Sequence, residues 1–308
     1  MRRMFVLLMA FAMLVSLVGC GGSAAQTDEA AEALAAALSA LPELPDMTGV
    51  DTSAILGVED GVLTVGMECD YAPYNWTQID DSYGAVPIAN NPGAYANGYD
   101  VLMAKRICEA YGWELEVMAI GWDGLVPALN AGSLDAIIAG QSMTEERLQQ
   151  VDMAGPYIYA SIVCVTKADS PFADAQGISD LSGGTCTSQT GTIWYDTCLP
   201  QIPGAQIMPE SETATAMIMA VVSGTVDYIC TDVPTALGAA STYSDLVVLD
   251  FSGTGDDFTV SDEEVFIGIS VLKDNSALKD AIDGVLANMS ADDYNTLMSG
   301  AIAIQPEI

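Results

Sequence analysis

The chain has no histidine in 308 residues, and only 8 lysines and arginines stand against 42 aspartates and glutamates. Without an imidazole there is no Ser–His or Cys–His couple, and the most used general acid–base side chain is missing. The seven cysteines follow no zinc spacing, and no histidine is present to complete one, so neither metal nor cofactor is expected. A surface this poor in cations repels a polyphosphate, which excludes nucleic acid as a partner. Beyond residue 20 no apolar run reaches the length that crosses a bilayer. No tandem repeat is visible either.

The start of the chain is different. Arg2 and Arg3 precede an uncharged apolar stretch from Phe5 to Val18, and Leu17-Val-Gly-Cys20 follows. Fourteen apolar residues are too few for a transmembrane helix and suit a signal peptide, residues 1–19. Leu17 to Cys20 resembles the bacterial lipobox, which implies cleavage before Cys20 and lipidation of that residue. The expected product is exported and tethered to the outer face of the cytoplasmic membrane. Loss of the leader leaves 6 basic against 42 acidic side chains, a net charge of −36. Such acidity keeps a protein soluble, as in a saline habitat, or steers cationic solutes toward it. Of the six remaining cysteines, Cys186 and Cys198 are close enough in sequence to be disulfide candidates, and the rest read as small buried apolar residues.

Residues 20–59, rich in Ala, Asp, Glu, Gly and Pro, read as an acidic tether with one short helix around Asp28 to Leu41, spaced by Leu34, Leu38 and Leu41. From Gly61 the pattern becomes α/β. Val62–Met67, Glu114–Ala119 and Asp135–Gly140 read as strands. Val101, Ala104, Ile107 and Tyr111 share one helix face, and Asp123 is a candidate cap for a helix through Leu129. A second set follows Lys167: strands at Thr185–Ser188, Ala205–Met208 and Asp227–Thr231, and a helix over Glu212–Val222. Glu264–Leu272 reads as a strand, with helices at Asn275–Met289 and Ala291–Ser299. Alternation of this kind predicts parallel sheets with ligand groups at strand carboxyl ends, and about 250 folded residues make two lobes. The Gly-, Asn- and Pro-containing stretch from Thr77 to Asn97 reads as a surface loop.

Arg147 is one of two arginines outside the leader, in the run Ser142-Met-Thr-Glu-Glu-Arg147. Guanidinium is the side chain best matched to a carboxylate, being planar, forked and permanently charged. It would equally pair with Glu145 or Glu146 at a surface. Its context decides between these. Gly98-Tyr-Asp-Val-Leu-Met-Ala104, Trp122-Asp-Gly-Leu-Val-Pro-Ala-Leu-Asn-Ala-Gly132, Leu134 to Arg147, and Val151-Asp-Met-Ala-Gly-Pro-Tyr157 resemble, in this order, the family 3 solute-binding proteins of polar amino-acid ABC importers. The resemblance runs from about Gly61 to Ala303.

That resemblance implies a type II periplasmic-binding-protein-like α/β fold, two-lobed, each lobe a central sheet with flanking helices. Lobe 1 is expected at 60–164 plus 267–308, lobe 2 at 165–266, with hinge crossings near Ser161–Lys167 and Asp262–Gly268. It implies a free amino acid as ligand, which Glu68 and the acidic surface favour as polar or cationic over acidic, and a separate permease and ATPase as partners of a monomer that does no chemistry. Arg147 would fork onto the ligand carboxylate with Ser142 and the Gly191-Thr192 turn. Asp232 and the Gly140 carbonyl would take the ammonium, Tyr71 and Trp122 would enclose the side chain, and Glu68 would meet its polar end. Singly, Ser142, Gly191 and Asp232 also read as turn and cap residues, Tyr71 and Trp122 as core, and Glu68 as rim. Ile193 and Trp194 depart from the family pattern, which has a second hydroxyl residue after Thr192. Two other readings remain: a dehydratase-like enzyme on the same fold, with Glu68 and Asp232 as acid and base, and a ligand-sensing module.

Overall fold

The computed structural model describes residues 22–261 and 263–306; Cys20 and the leader lie outside the described residues. Two five-stranded sheets form the two lobes, and their topologies match. In the first the order is Glu114–Ala119, Val62–Met67, Ala136–Ile137, Phe266–Leu272, Val151–Tyr159. The first three strands run parallel and the last two pairings are antiparallel. In the second the order is Gln206–Ile207, Thr185–Thr187, Tyr228–Asp232, Ile162–Lys167, Leu246–Leu249, again three parallel strands followed by two antiparallel pairings. The apolar runs of the central strands explain this. Val65 and Val163 to Val165 have no exposed surface, as expected for strands covered on both faces.

The lobes join where the chain leaves one sheet for the other. The Ala160 amide donates to Val265 O in the first lobe at 2.9 Å, and Ser161 O accepts from the Val233 amide in the second at 2.9 Å. At this crossing the boundary falls between adjacent residues, Ala160 and Ser161. Ile162 already pairs with Asp232, and Phe266 with Tyr159, so the crossing precedes the expected Ser161–Lys167 segment and the first sheet starts one residue before 267.

Three further expectations need correction. The stretch after Thr77 is no loop: Asn75–Gln78, Tyr95–Asn97, Val86–Pro87 and Asp70–Tyr71 form a small antiparallel sheet. Strands of two to four residues leave too little alternation to read. Asp123 does not cap a helix, because Trp122–Gly124 is a 3-10 turn and Gly124 opens the helix Leu125–Asn130 with no side-chain bond. Thr144, by contrast, caps Glu145–Gln150, its Oγ1 accepting from the Arg147 amide at 3.2 Å.

The third correction concerns the N-terminal segment, which lies against the first lobe instead of standing off as a tether. The helix Gly22–Ala40 packs along the helix Ala291–Ile304, burying Leu34 and Ala37 while Leu38 stays exposed. Gly300 makes that crossing possible: a Cβ there would lie 2.9 Å from that of Ala37. Residues after it stay pinned, with Arg106 Nη2 donating to Pro42 O and Asn275 Nδ2 to Leu56 O. Val58 has no exposed surface.

Candidate functional site

Between the lobes lies a cavity of about 560 Å³. Seven of the expected residues line it: Tyr71, Trp122, Gly140, Ser142, Arg147, Gly191 and Thr192. Glu68 and Asp232 do not; both are buried one layer behind the wall.

Arg147 sits in the first turn of the helix capped by Thr144. Its guanidinium donates to Ser142 O and stacks 5.6 Å from the centroid of Trp122. Among the described residues it forms no ion pair, so the surface pairing with Glu145 or Glu146 is not made. Burial brings its pKa down to about 10, opposed by Glu146, and it remains charged at neutral pH. Opposite stands the turn at Gly191, whose φ of +61° suits glycine, and where a Cβ would come 3.3 Å from Trp122 Nε1. Thr192 closes this turn by donating its hydroxyl to Gln189 O at 2.7 Å. Ile193 and Trp194 then turn inward. Trp194 lines the cavity edge-on to Tyr71 at 6.3 Å, giving an apolar wall at the point where Ile193 and Trp194 depart from the family pattern.

Asp232 ends the strand Tyr228–Asp232 and caps the helix Val233–Thr242, its Oδ1 accepting from the Thr235 amide at 2.8 Å. Its Oδ2 accepts from two tyrosine hydroxyls of the other lobe, Tyr71 and Tyr74, each at 3.1 Å. No lysine or arginine pairs with it among the described residues. Burial raises its pKa, opposed by these donors. Tyr71 is stacked on Tyr74 at 4.7 Å and wedged against Gly140, where a Cβ would lie 2.6 Å from the ring. Any side chain at 140 would drive the tyrosine off Asp232.

Glu68 faces the second lobe as well: Gln189 Nε2 donates to both its carboxylate oxygens at 3.3 Å. Burial pushes its pKa up to about 7, and Asp70 and Asp123 add to the rise. Behind these groups Asp100, also raised to about 7 by burial, accepts from Tyr157 at 2.6 Å and Asn75 Nδ2 at 2.7 Å. Tyr157 in turn accepts from the Gly140 amide at 3.0 Å, so this network holds the strand end that lines the cavity. Tyr74, Asp100 and Gln189 were missed in the sequence. Asp100 looks there like an ordinary first-turn acid, and the other two act only across the lobe boundary.

These carboxylates have a measurable consequence. Glu68 and Asp100 titrate near 7 when folded and near 4 when unfolded. Between those values the folded state binds more protons, so stability falls as pH rises, and the penalty is complete above about 7. The unliganded protein should melt at a higher temperature at about pH 5.5 than at about pH 8, and E68Q should flatten that slope. An unchanged slope in E68Q would remove Glu68 as its source.

No group of acidic or cysteine side chains that could hold a metal ion occurs among the described residues. All six described cysteines are free and buried; the Cys186–Cys198 bond is not formed, and Cys230 meets both Cys198 and Cys164 in the core of the second lobe. Among the described residues no helix is long and apolar enough to cross a membrane.

Two matching α/β lobes, two chain crossings, and a cleft whose guanidinium, beside a glycine turn, has no ion pair among the described residues define a protein that encloses a small solute. The chain matches the model for bacterial extracellular solute-binding proteins, family 3, over residues 63–300, and it belongs to that family. It is 29% identical over 148 residues to the arginine-binding extracellular protein ArtP of Bacillus subtilis (strain 168), covering 48% of this chain and about half, 49%, of that protein. Among solved structures it resembles arginine-bound truncated ArgBP from T. maritima, with 28% identity and a TM-score of 0.58 over 75% of this chain and 98% of that one. It also resembles an ancestral amino-acid-binding protein, AncCDT-1, a precursor of cyclohexadienyl dehydratase, with 27% identity and a TM-score of 0.63 over 78% and 95% of the two chains.

Proposed function

We propose that this protein captures a free amino acid, polar or cationic, between its lobes and delivers it to an ABC permease and its ATPase on separate chains. The observation that carries this reading is Arg147, a guanidinium with no carboxylate partner among the described residues, lining a cavity of amino-acid size or larger. The ligand carboxylate takes the fork of Arg147, helped by Ser142 and the amides of the Gly191-Thr192 turn. Its ammonium goes to Asp232 and the Gly140 carbonyl. Since Tyr71 stands between the cavity and Asp232, its hydroxyl gives up its place on Oδ2 as the ammonium arrives. Tyr71, Trp122 and Trp194 then flank the side chain. Charges at opposite poles of a zwitterion, drawn from different lobes, make closure depend on the ligand.

The cationic preference rests on the wall itself, where Asp123, Glu145, Glu146, Asp196 and Glu264 surround the single arginine. Glu68 adds charge from behind. We place the protein outside the cytoplasmic membrane, anchored through Cys20, acting as a monomer and carrying out no reaction. Screening the twenty amino acids by thermal shift tests the ligand class. A ligand at about 100 times its Kd adds about 2.7 kcal/mol of stability. A shift with arginine or lysine and none with glutamate or aspartate is the expected pattern; the reverse would sink the charge preference.

A further inference from the structure

We infer that Tyr74 is a positioning residue for ligand capture: it reaches across the lobe boundary and holds the Asp232 carboxylate in place for the ligand's ammonium. This rests on the reading of Asp232 as the ammonium acceptor.

Tyr71 and Tyr74 bond the same oxygen, but their surroundings differ. Tyr71 lines the cavity and Tyr74 does not. Tyr74 has no exposed surface and packs between the Tyr71 ring at 4.7 Å and the edge of Tyr99 at 6.2 Å. Its backbone is fixed too, since Tyr74 O accepts from the Asp100 amide at 2.8 Å, and Gly98 lies so close that a Cβ there would be 2.3 Å from that oxygen. A solute entering the cavity can push Tyr71 aside and leave Tyr74 where it is. Asp232 then keeps two donors, the Thr235 amide on Oδ1 and the Tyr74 hydroxyl on Oδ2, and each oxygen retains a lone pair for the ammonium.

The Tyr74 hydroxyl also bonds across two lobes that the chain joins at two crossings, so its bond to Asp232 can form only when they are together. It therefore favours the closed, binding-competent arrangement. Around Asp232 the facing groups are Tyr71 and Tyr74 from the first lobe and Thr235 from its own helix. Asp100, on the helix Tyr99–Tyr111, is the other carboxylate near enough for the two charges to interact. A buried carboxylate with no cation partner stays ionised only through its donors. Removing one moves its protonation to higher pH, and a protonated Asp232 cannot hold an ammonium.

The test is Y74F, which keeps the ring and removes the hydroxyl, titrated with L-arginine by calorimetry from about pH 5 to about pH 8 beside wild type and D232N. The expected result is a Kd raised on the order of tenfold to a hundredfold at neutral pH, with the acid side of the Kd–pH profile displaced to higher pH. An unchanged Kd, a tighter Kd, or a loss uniform across pH would overturn the inference, the last because lost packing has no pH dependence. If D232N binds L-arginine like wild type, the reading of Asp232 itself has failed instead. Small-angle scattering of the unliganded proteins gives a measurement independent of ligand: Y74F should have the larger radius of gyration, and equal radii would count against Tyr74 as a contact of the closed state.

Discussion

Arg147→Ala should lower amino-acid affinity by roughly a hundredfold to several thousandfold, because it leaves a carboxylate enclosed without its partner, at a cost of about 3–5 kcal/mol. The folded protein should hardly notice. The Arg147 guanidinium forms no ion pair among the described residues, and its hydrogen bond to Ser142 O spans five residues of the same segment. The melting temperature without ligand should therefore stay close to wild type while calorimetric binding disappears. Arg147→Lys should recover only part of the loss, since an ammonium offers a point charge in place of two parallel donors and cannot stack on Trp122 in the same way. Retained affinity in R147A would place the ligand carboxylate elsewhere.

The second large effect has two opposite halves. Asp232→Asn should weaken binding by roughly thirtyfold to several thousandfold, the loss expected on removing one partner of an enclosed charge pair at about 2–5 kcal/mol. Yet the unliganded protein should become more stable. Asp232 is 1% exposed and pays for its burial with only neutral donors around it. Asparagine keeps an acceptor oxygen for the Thr235 amide and turns an Nδ2 donor toward the tyrosine hydroxyl oxygens, without a charge to desolvate. Burial raises the Asp232 pKa, so thermal unfolding should show the gain more clearly at alkaline than at acid pH. A variant that both binds normally and melts like wild type would detach Asp232 from function and stability together.

Much of this architecture is legible in the chain because its central strands are short apolar runs and its helices present one apolar stripe. Val62–Met67 and Tyr228–Asp232 are found close to their expected limits, as are Ala214–Val222 and Ser276–Leu286. Arg147 is legible because a chain so poor in cations leaves few candidates. What failed to show is what acts between distant segments. Tyr74 reads as one more ring beside a turn, and its hydroxyl gains meaning only when Asp232, 158 positions away, comes within 3.1 Å. Glu68 and Asp232 were expected on the cavity wall, but motif position does not reveal that Tyr71 covers one and Gln189 engages the other. The docking of the N-terminal helix was equally hidden. Its small apolar face finds a partner only because Gly300 lets another helix approach closely.

The missing imidazoles give this molecule an unusually quiet proton background. Burial pushes the Cys69 and Cys108 thiols up to about 12, while Glu68 and Asp100 are brought to about 7. When a cationic solute settles beside interior carboxylates, they release hydrogen ions to the buffer. Capture heats recorded at one pH in buffers of differing ionisation enthalpy should then fall on a sloping line. With no histidine to contribute, that slope counts the ions expelled from the cleft's own acids.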